Sequence, residues 1–205
     1  MDLLDNSILS AIFAGSLTSE NAIEIVKKKN YLSEEFISSR IDNLVKNGLV
    51  EKDKKTLTEI GRSSLRIVLA GGVFDIIHPG HLHTLNSAKS LGDVLVVVVA
   101  TDKTAETMKK RTPLHNQEQR RELVNSLSMV DIGIVGHEGD IFKTVEKIRP
   151  EIIALGYDQV HQEKFITDGC RKLNLDVKVA RLQSPNPEIS SSKIEEKYGE
   201  NIHDI

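Results

Sequence analysis

Cysteine is all but missing from this 205-residue chain: Cys170 stands alone. That excludes an internal disulfide framework and any thiolate-rich metal site. Tryptophan is absent, and aromatic residues make up only 4%. Long apolar runs are absent too. The longest, Val94–Ala100, is far short of the ~20 residues a membrane span needs, so no membrane association is expected. Neither sign of charge dominates: 27 Lys+Arg stand against 30 Asp+Glu, a net of −3. Bulk attraction to nucleic acid or to an anionic membrane is therefore excluded as the main theme. The N-terminus, MDLLDNSILS, is acidic and has no basic n-region, so no secretion signal is expected and the cytoplasm is the expected location. What remains is ordinary for a folded domain, with 39% hydrophobic and 28% charged residues. The length suits one large domain or two small ones on a prior of roughly 100–200 residues each.

The chain changes character near Ser64. Before it, apolar residues recur at helical spacing: Leu3, Leu4, Ile8, Leu9, Ile12 and Phe13, then Ile23, Ile25 and Val26, then Phe36, Ile37, Ile41, Leu44 and Val45. Ser19 and Ser33 are expected to cap the second and third helices, and Gly48 to end the third. Leu49–Lys52 and Lys55–Thr58 read as a small hairpin around Asp53-Lys54. Three helices and a hairpin predict a winged helix-turn-helix-like domain over residues 1–64. DNA contact by this domain is possible but not favoured. It holds 9 basic and 10 acidic residues, and its third helix carries Glu34, Glu35 and Asp42 against Arg40 and Lys46. Phosphate contacts, which supply most non-specific DNA affinity, would find few partners there. The alternative is a module for interaction or dimerisation.

From Leu65 the pattern alternates strand and helix. Strands are predicted at 66–70, 94–100, 130–135, 152–155 and 177–181. Helices are predicted at 81–91, 117–127, 140–148 and 164–173. This predicts a doubly wound α/β domain with a parallel sheet over residues 65–205. Ligands on such sheets bind beyond the carboxyl ends of the strands, where strand order reverses.

At that place the first strand runs into Gly71-Gly72-Val73-Phe74-Asp75-Ile76-Ile77-His78-Pro79-Gly80-His81, and Ile189-Ser190-Ser191-Ser192-Lys193-Ile194 lies near the other end of the domain. Two histidines three apart could form a metal half-site or a polar surface pair, and three serines could form a plain helix cap. Together, however, the segments resemble the G-x-F-D-x-x-H-x-G-H and I-S-S-T-x-I signatures of the nucleotidyltransferase superfamily related to class I tRNA synthetases. The resemblance covers about residues 66–196. It implies a Rossmann-like, HUP-type fold. It also implies transfer of a nucleoside monophosphate from a nucleoside triphosphate to a phosphate-bearing acceptor, with release of pyrophosphate. Such a reaction needs in-line positioning and neutralisation of charge more than covalent help.

On that basis Gly72, Val73, Phe74, His78, Pro79, Gly80 and His81 are expected at the nucleotide, with His78 and His81 as catalytic donors and a protonated ring adding charge. Ser190, Ser191 and Ser192 are expected to hold the outer phosphates, with Lys193 adding charge. Asp75 is expected to tie down the turn. Lys109 and Arg111 are placed on a loop after the second strand. The family uses a basic residue of that loop on the triphosphate, although a run of charge is as often a solvated face. Lys109 is taken as catalytic and Arg111 as nucleotide-binding. His83, Arg120 and Arg121 are expected to be surface or structural. By family analogy Mg²⁺, or another divalent cation, accompanies the triphosphate, though no carboxylate cluster dictates a site.

Fold and signature leave the acceptor open. The R-T-x-G that precedes I-S-T-T in cytidylyltransferases of the glycerol-phosphate type is replaced by Pro185-Asn186-Pro187-Glu188, which argues against CTP. The segments Thr112-Pro113, Glu118–Arg121, Asp140–Lys143 and Pro150–Gln159 resemble the archaeal FAD synthases. That resemblance implies ATP and FMN as substrates, Asp158 at the ATP site and a homodimer. The archaeal enzymes have a single domain, whereas this chain carries the additional N-terminal stretch. An isoalloxazine would have only Tyr157, Phe165 and Tyr198 to stack on. The alternatives are a CTP-dependent cytidylyltransferase for glycerol 3-phosphate or a similar phospho-alcohol, and a nucleotide-sensing, DNA-binding regulator.

Overall fold

The computed structural model describes residues 2–30, 32–157, 159–183 and 194. The chain divides into two compact units, Met1–Arg66 and Ile67–Ile205.

The first unit holds α1 (Leu3–Thr18), α2 (Ala22–Asn30), α3 (Glu34–Lys46) and α4 (Glu59–Ser63). Its core is made by the predicted stripes, with Ile8, Leu9, Ile12, Ile37, Ile41 and Leu44 buried. Ser33 caps α3 by accepting from the Phe36 N–H. Ser19 does not cap α2. It ends α1 in the left-handed region, and Asn21 accepts from the Ile23 N–H in its place. An Asx side chain two residues ahead outcompetes the serine here. The hairpin is a single antiparallel bridge, Val50 to Leu57, with Asp53 bonding the N–H groups of Lys55 and Thr56. The short helix α4, capped by Thr58, follows it and was not expected.

The second unit is a five-stranded, all-parallel sheet. Its strands are β1 (Ile67–Gly72), β2 (Val94–Val99), β3 (Ile132–Val135), β4 (Ile152–Leu155) and β5 (Lys178–Arg181), in the order β3-β2-β1-β4-β5. Every residue of β2, VLVVVV, is buried, as a strand covered on both faces requires. The helices are α5 (Pro79–Lys89), α6 (Asp102–Lys109), α7 (Gln117–Asn125), α8 (Ile141–Ile148) and α9 (Val160–Lys172). Helix α6 is the element that the periodicity missed. Only Ala105 in it is buried and its Met108 is exposed, so it has no apolar stripe to read; Thr101 caps it by accepting from the Thr104 N–H. Lys109 therefore ends a helix and does not lie on a loop, while Lys110 turns the chain at φ +58°. Strand order reverses between β1 and β4, so the crevice forms beyond their carboxyl ends.

Candidate active site

The first strand delivers its last residues to that crevice. Gly72 closes the ladder, its carbonyl accepting from the Ala100 N–H at 2.9 Å. A β-carbon on Gly72 would lie 3.0 Å from the ring of Phe74, so only glycine leaves that ring its place. Phe74 itself adopts φ +55° and is buried. The left-handed region costs a non-glycine residue roughly 1–2 kcal/mol, and such strain tends to collect at functional sites.

The chain then enters α5. His78 is its N-cap and Pro79 occupies the first turn, where a missing N–H is no loss. The Nδ1 of His78 accepts from the Gly80 N–H at 3.2 Å. The neutral ring therefore carries its proton on Nε2. The His81 ring lies 4.0 Å from that of His78 and 5.2 Å from that of Phe74. Both imidazoles thus stand at the positive end of one helix dipole. Burial, then the neighbouring His78 and Lys109, push His81 down to about 4. At neutral pH it is an uncharged donor and acceptor, so of the two rings His81 is not the protonated one the sequence led us to expect. Its Nδ1 is buried without a hydrogen-bond partner among the described residues.

Asp75 and Arg120 hold this turn from behind. Burial alone would raise the Asp75 carboxyl. The N–H of Leu114, the Arg111 guanidinium and the N–H of His115 outweigh burial and lower it. Arg111 donates to Asp75 at 2.9 Å and His115 N–H at 3.2 Å. Asp75 is thus an ionised anchor, as the sequence suggested. Arg120 is wholly buried. It donates to the carbonyls of Val73 (2.7 Å) and His115 (2.9 Å) and to the Asp102 carboxylate (2.7 Å). The Val73 carbonyl is therefore engaged by protein. Arg121 pairs on the surface with Glu118, and His83 is exposed.

Of the residues expected at the site, Phe74, His78 and His81 are brought together. Gly72 packs on Phe74 and Lys109 acts electrostatically on His81. Arg111 is tied to Asp75 and to the Thr112 carbonyl. Asp158, Ser190, Ser191, Ser192 and Lys193 lie outside the described residues. Among the described residues no group of three or more His, Cys, Asp or Glu could hold a metal ion. Among the described residues the side chains therefore build no ready-made metal site.

A second feature had escaped the sequence. A cleft of about 420 Å³ opens along the ends of β1, β2 and β4, touching Gly71 and Gly72 but neither imidazole. Its wall is mostly apolar, with Met108, Ile141 and Phe165 at its surface and Thr101, Thr104 and Asp140 among its polar groups. The signal available was positional. The loops after the strands were the place to look, and α6, which carries Thr104 and Met108, was not recognised as a helix.

Three kinds of comparison bear on this geometry. A family model described as cytidylyltransferase-like matches residues 69–197. A FAD synthase of Picrophilus torridus is 52% identical over 125 residues, 61% of this chain and 89% of that protein. A FAD synthase of Thermoplasma volcanium is 45% identical over 138 residues, 65% of this chain and 96% of that one. Among solved structures, one described as the lipopolysaccharide core biosynthesis protein from Thermoplasma volcanium GSS1 shares 45% identity, covers 58% of this chain and 98% of its own, and has a TM-score of 0.56. A protein from Archaeoglobus fulgidus with only 16% identity covers 61% of this chain and 94% of its own at a TM-score of 0.50, a likeness of fold alone.

Proposed function

The chain belongs to the cytidylyltransferase-like family, and from that premise we propose that it transfers the adenylyl group of ATP to FMN, giving FAD and pyrophosphate. It is a nucleotidyltransferase. The choice of acceptor rests on its likeness to FAD synthases at 42–53% identity. The structural observation that carries the reading is the close, tilted pair His78 and His81 at the first turn of α5, set beside an apolar cleft at the strand-order switch.

In this reading a phosphate oxygen of FMN attacks the α-phosphorus of ATP in line. The bond from that phosphorus to the bridging oxygen breaks, and pyrophosphate leaves with the electron pair. The protein positions and stabilises charge, and forms no covalent intermediate. His78 donates from Nε2, neutral His81 donates from its one N–H, and the amides opening α5 add partial positive charge. Lys109 supplies the full charge that neutral His81 does not, with Arg111 assigned to the nucleotide on the sequence alone. The glycines Gly71, Gly72 and Gly80 keep side chains out of the nucleotide's path, and Pro79 fixes the bend. Ser190, Ser191 and Ser192 with Asp158 are assigned to the nucleotide on the motif alone. A divalent cation, Mg²⁺ in this reading, would be held by the triphosphate and would supply charge neutralisation for the leaving pyrophosphate.

The N-terminal unit is read as winged-helix-like. DNA contact is not part of the reading, because residues 1–64 hold 9 basic against 10 acidic residues and two of those cations are paired, Arg40 with Asp2 and Asp5, and Lys54 with Asp42. A homodimer through the α/β unit and a cytoplasmic location complete the reading.

The test is a pyrophosphate-release assay crossing the four nucleoside triphosphates with FMN, glycerol 3-phosphate, phosphocholine and phosphopantetheine. Turnover with ATP and FMN alone supports the reading. Turnover with CTP and glycerol 3-phosphate overturns it in favour of a cytidylyltransferase.

A further inference from the structure

Phenylalanine 165 is 58% exposed, an unfavourable place for so large an apolar ring unless something covers it. It is not isolated. Among the described residues of the α/β unit the exposed large hydrophobics are Met108, Leu123, Ile141 and Phe165, and all but Leu123 line the one cleft. Single exposed apolar residues are ordinary on a surface, but their convergence on a concavity marks a binding site.

Phe165 is also held still. Its ring lies 5.1 Å from that of Phe142 at 57°, a tilted arrangement within the favourable range for aromatic pairs. Phe142 is fixed in turn. Its N–H donates to Asp140, the cap of α8, and its ring covers Gly169, where a β-carbon would lie 1.9 Å from the Phe142 Cζ. Gly169 stands one helical turn beyond Phe165 on α9, so the two share a helix face. Phe142 thus lies against the bare backbone at Gly169 and buttresses Phe165 from one side. The chain has five phenylalanines and no tryptophan, and it commits two of the five to this buttress.

We propose that Phe165, braced by Phe142 over Gly169, is the face on which the flat ring system of the acceptor stacks, and that it determines acceptor specificity. The proposal rests on the reading of the acceptor as FMN and goes beyond it by assigning the ring to a side chain. A cleft of about 420 Å³ suits a ligand of that size, on a range of roughly 300–1,000 Å³ for small-molecule sites. Phosphorylated acceptors without a ring gain nothing from this wall, which gives the cleft its selectivity. The cleft begins at Gly71 and Gly72, so a ring on Phe165 leaves the acceptor's phosphate arm to run towards the turn that carries the histidines.

The experiment uses the full chain and the variants F165A, F165L and F165W. FAD formation is followed to give KM for FMN at saturating ATP and KM for ATP at saturating FMN. FMN binding without ATP is measured by titration, and folding by thermal melts. F165A is expected to raise KM and Kd for FMN roughly ten- to hundredfold, by analogy with the loss of one base–aromatic stack, and to leave KM for ATP unchanged. F165W restores FMN affinity and F165L does not. If wild type makes FAD and F165A stays within twofold for FMN, the inference fails and the FMN reading stands. The inference also fails if F165L restores affinity as well as F165W, because plain apolar contact then suffices. If wild type makes no FAD from ATP and FMN, the FMN reading fails first and the inference falls with it.

Discussion

Replacing Arg120 by methionine removes three hydrogen bonds while keeping most of the side-chain volume. The wild-type guanidinium has no solvent exposure and donates to Val73, His115 and Asp102 at 2.7, 2.9 and 2.7 Å. After the change, two backbone carbonyls lose a donor. A buried acceptor left short costs about 1–3 kcal/mol. Val73 is buried, whereas His115 is half-buried and its carbonyl regains part of its loss from water. The Asp102 side chain is 41% exposed, so its charge is solvated and adds little. The sum is about 2–5 kcal/mol, overlapping the cost of breaking a fully buried ion pair. Urea denaturation followed by circular dichroism should show a lower midpoint at an unchanged slope. The neighbouring Arg121 is the control. Its pair with Glu118 lies at the surface, half-buried on the arginine side and exposed on the glutamate side, so Arg121→Met should stay within about 0.5 kcal/mol. Because Arg120 fixes the carbonyl just before Phe74, the folded fraction of R120M should also turn over more slowly. A loss below about 1 kcal/mol for R120M, or an equal loss for R121M, would refute the reasoning.

His81→Ala should lower kcat at least ~10²-fold by removing one preorganised donor. The fold should survive, since Nδ1 bonds nothing among the described residues; wild-type turnover would show the site to be misplaced. The depressed His81 also predicts acid sensitivity. Between pH 6.5 and about 4 the unfolded chain takes up a proton that the folded one refuses. Stability present above pH 6.5 is therefore lost as pH falls through that window, by ~3 kcal/mol in all. Urea midpoints of wild type and H81Q should converge there, and parallel curves would contradict it. Lys109→Gln should raise KM for ATP by roughly tenfold and, by removing a positive neighbour, let His81 titrate closer to its ordinary value. A ring-proton NMR titration of His81 that does not move would rule out the contact between their fields.

The alternation of apolar runs from residue 67 onward gives the sheet away, because β2 is buried on both faces and cannot hide its valines. The histidine turn is equally readable: glycine pair, proline and two imidazoles all fall within residues 71–81, one strand-to-helix junction. Other features depend on what the chain folds against. Helix α6 is polar on nearly every side and held by its Thr101 cap. Arg120 looks like its surface neighbour Arg121 until Val73 and His115 are brought around it. Phe165 reads as an ordinary helix residue, since its partner Phe142 lies 23 positions away on another helix. That His81 stays uncharged was hidden for the same kind of reason. Its burial and the approach of Lys109 are products of tertiary structure.

The contact between Gly72 and the Phe74 ring reaches beyond local sterics. That ring fills the space above the glycine and leans on His81 at 5.2 Å, so the three positions are free to vary only in concert. A methyl group at 72 is compatible with a slimmer residue at 74, and that exchange would strip the imidazole of its neighbour. Descendants of this chain that keep the imidazole should inherit the glycine and the phenylalanine with it, while the surface of α6 drifts independently.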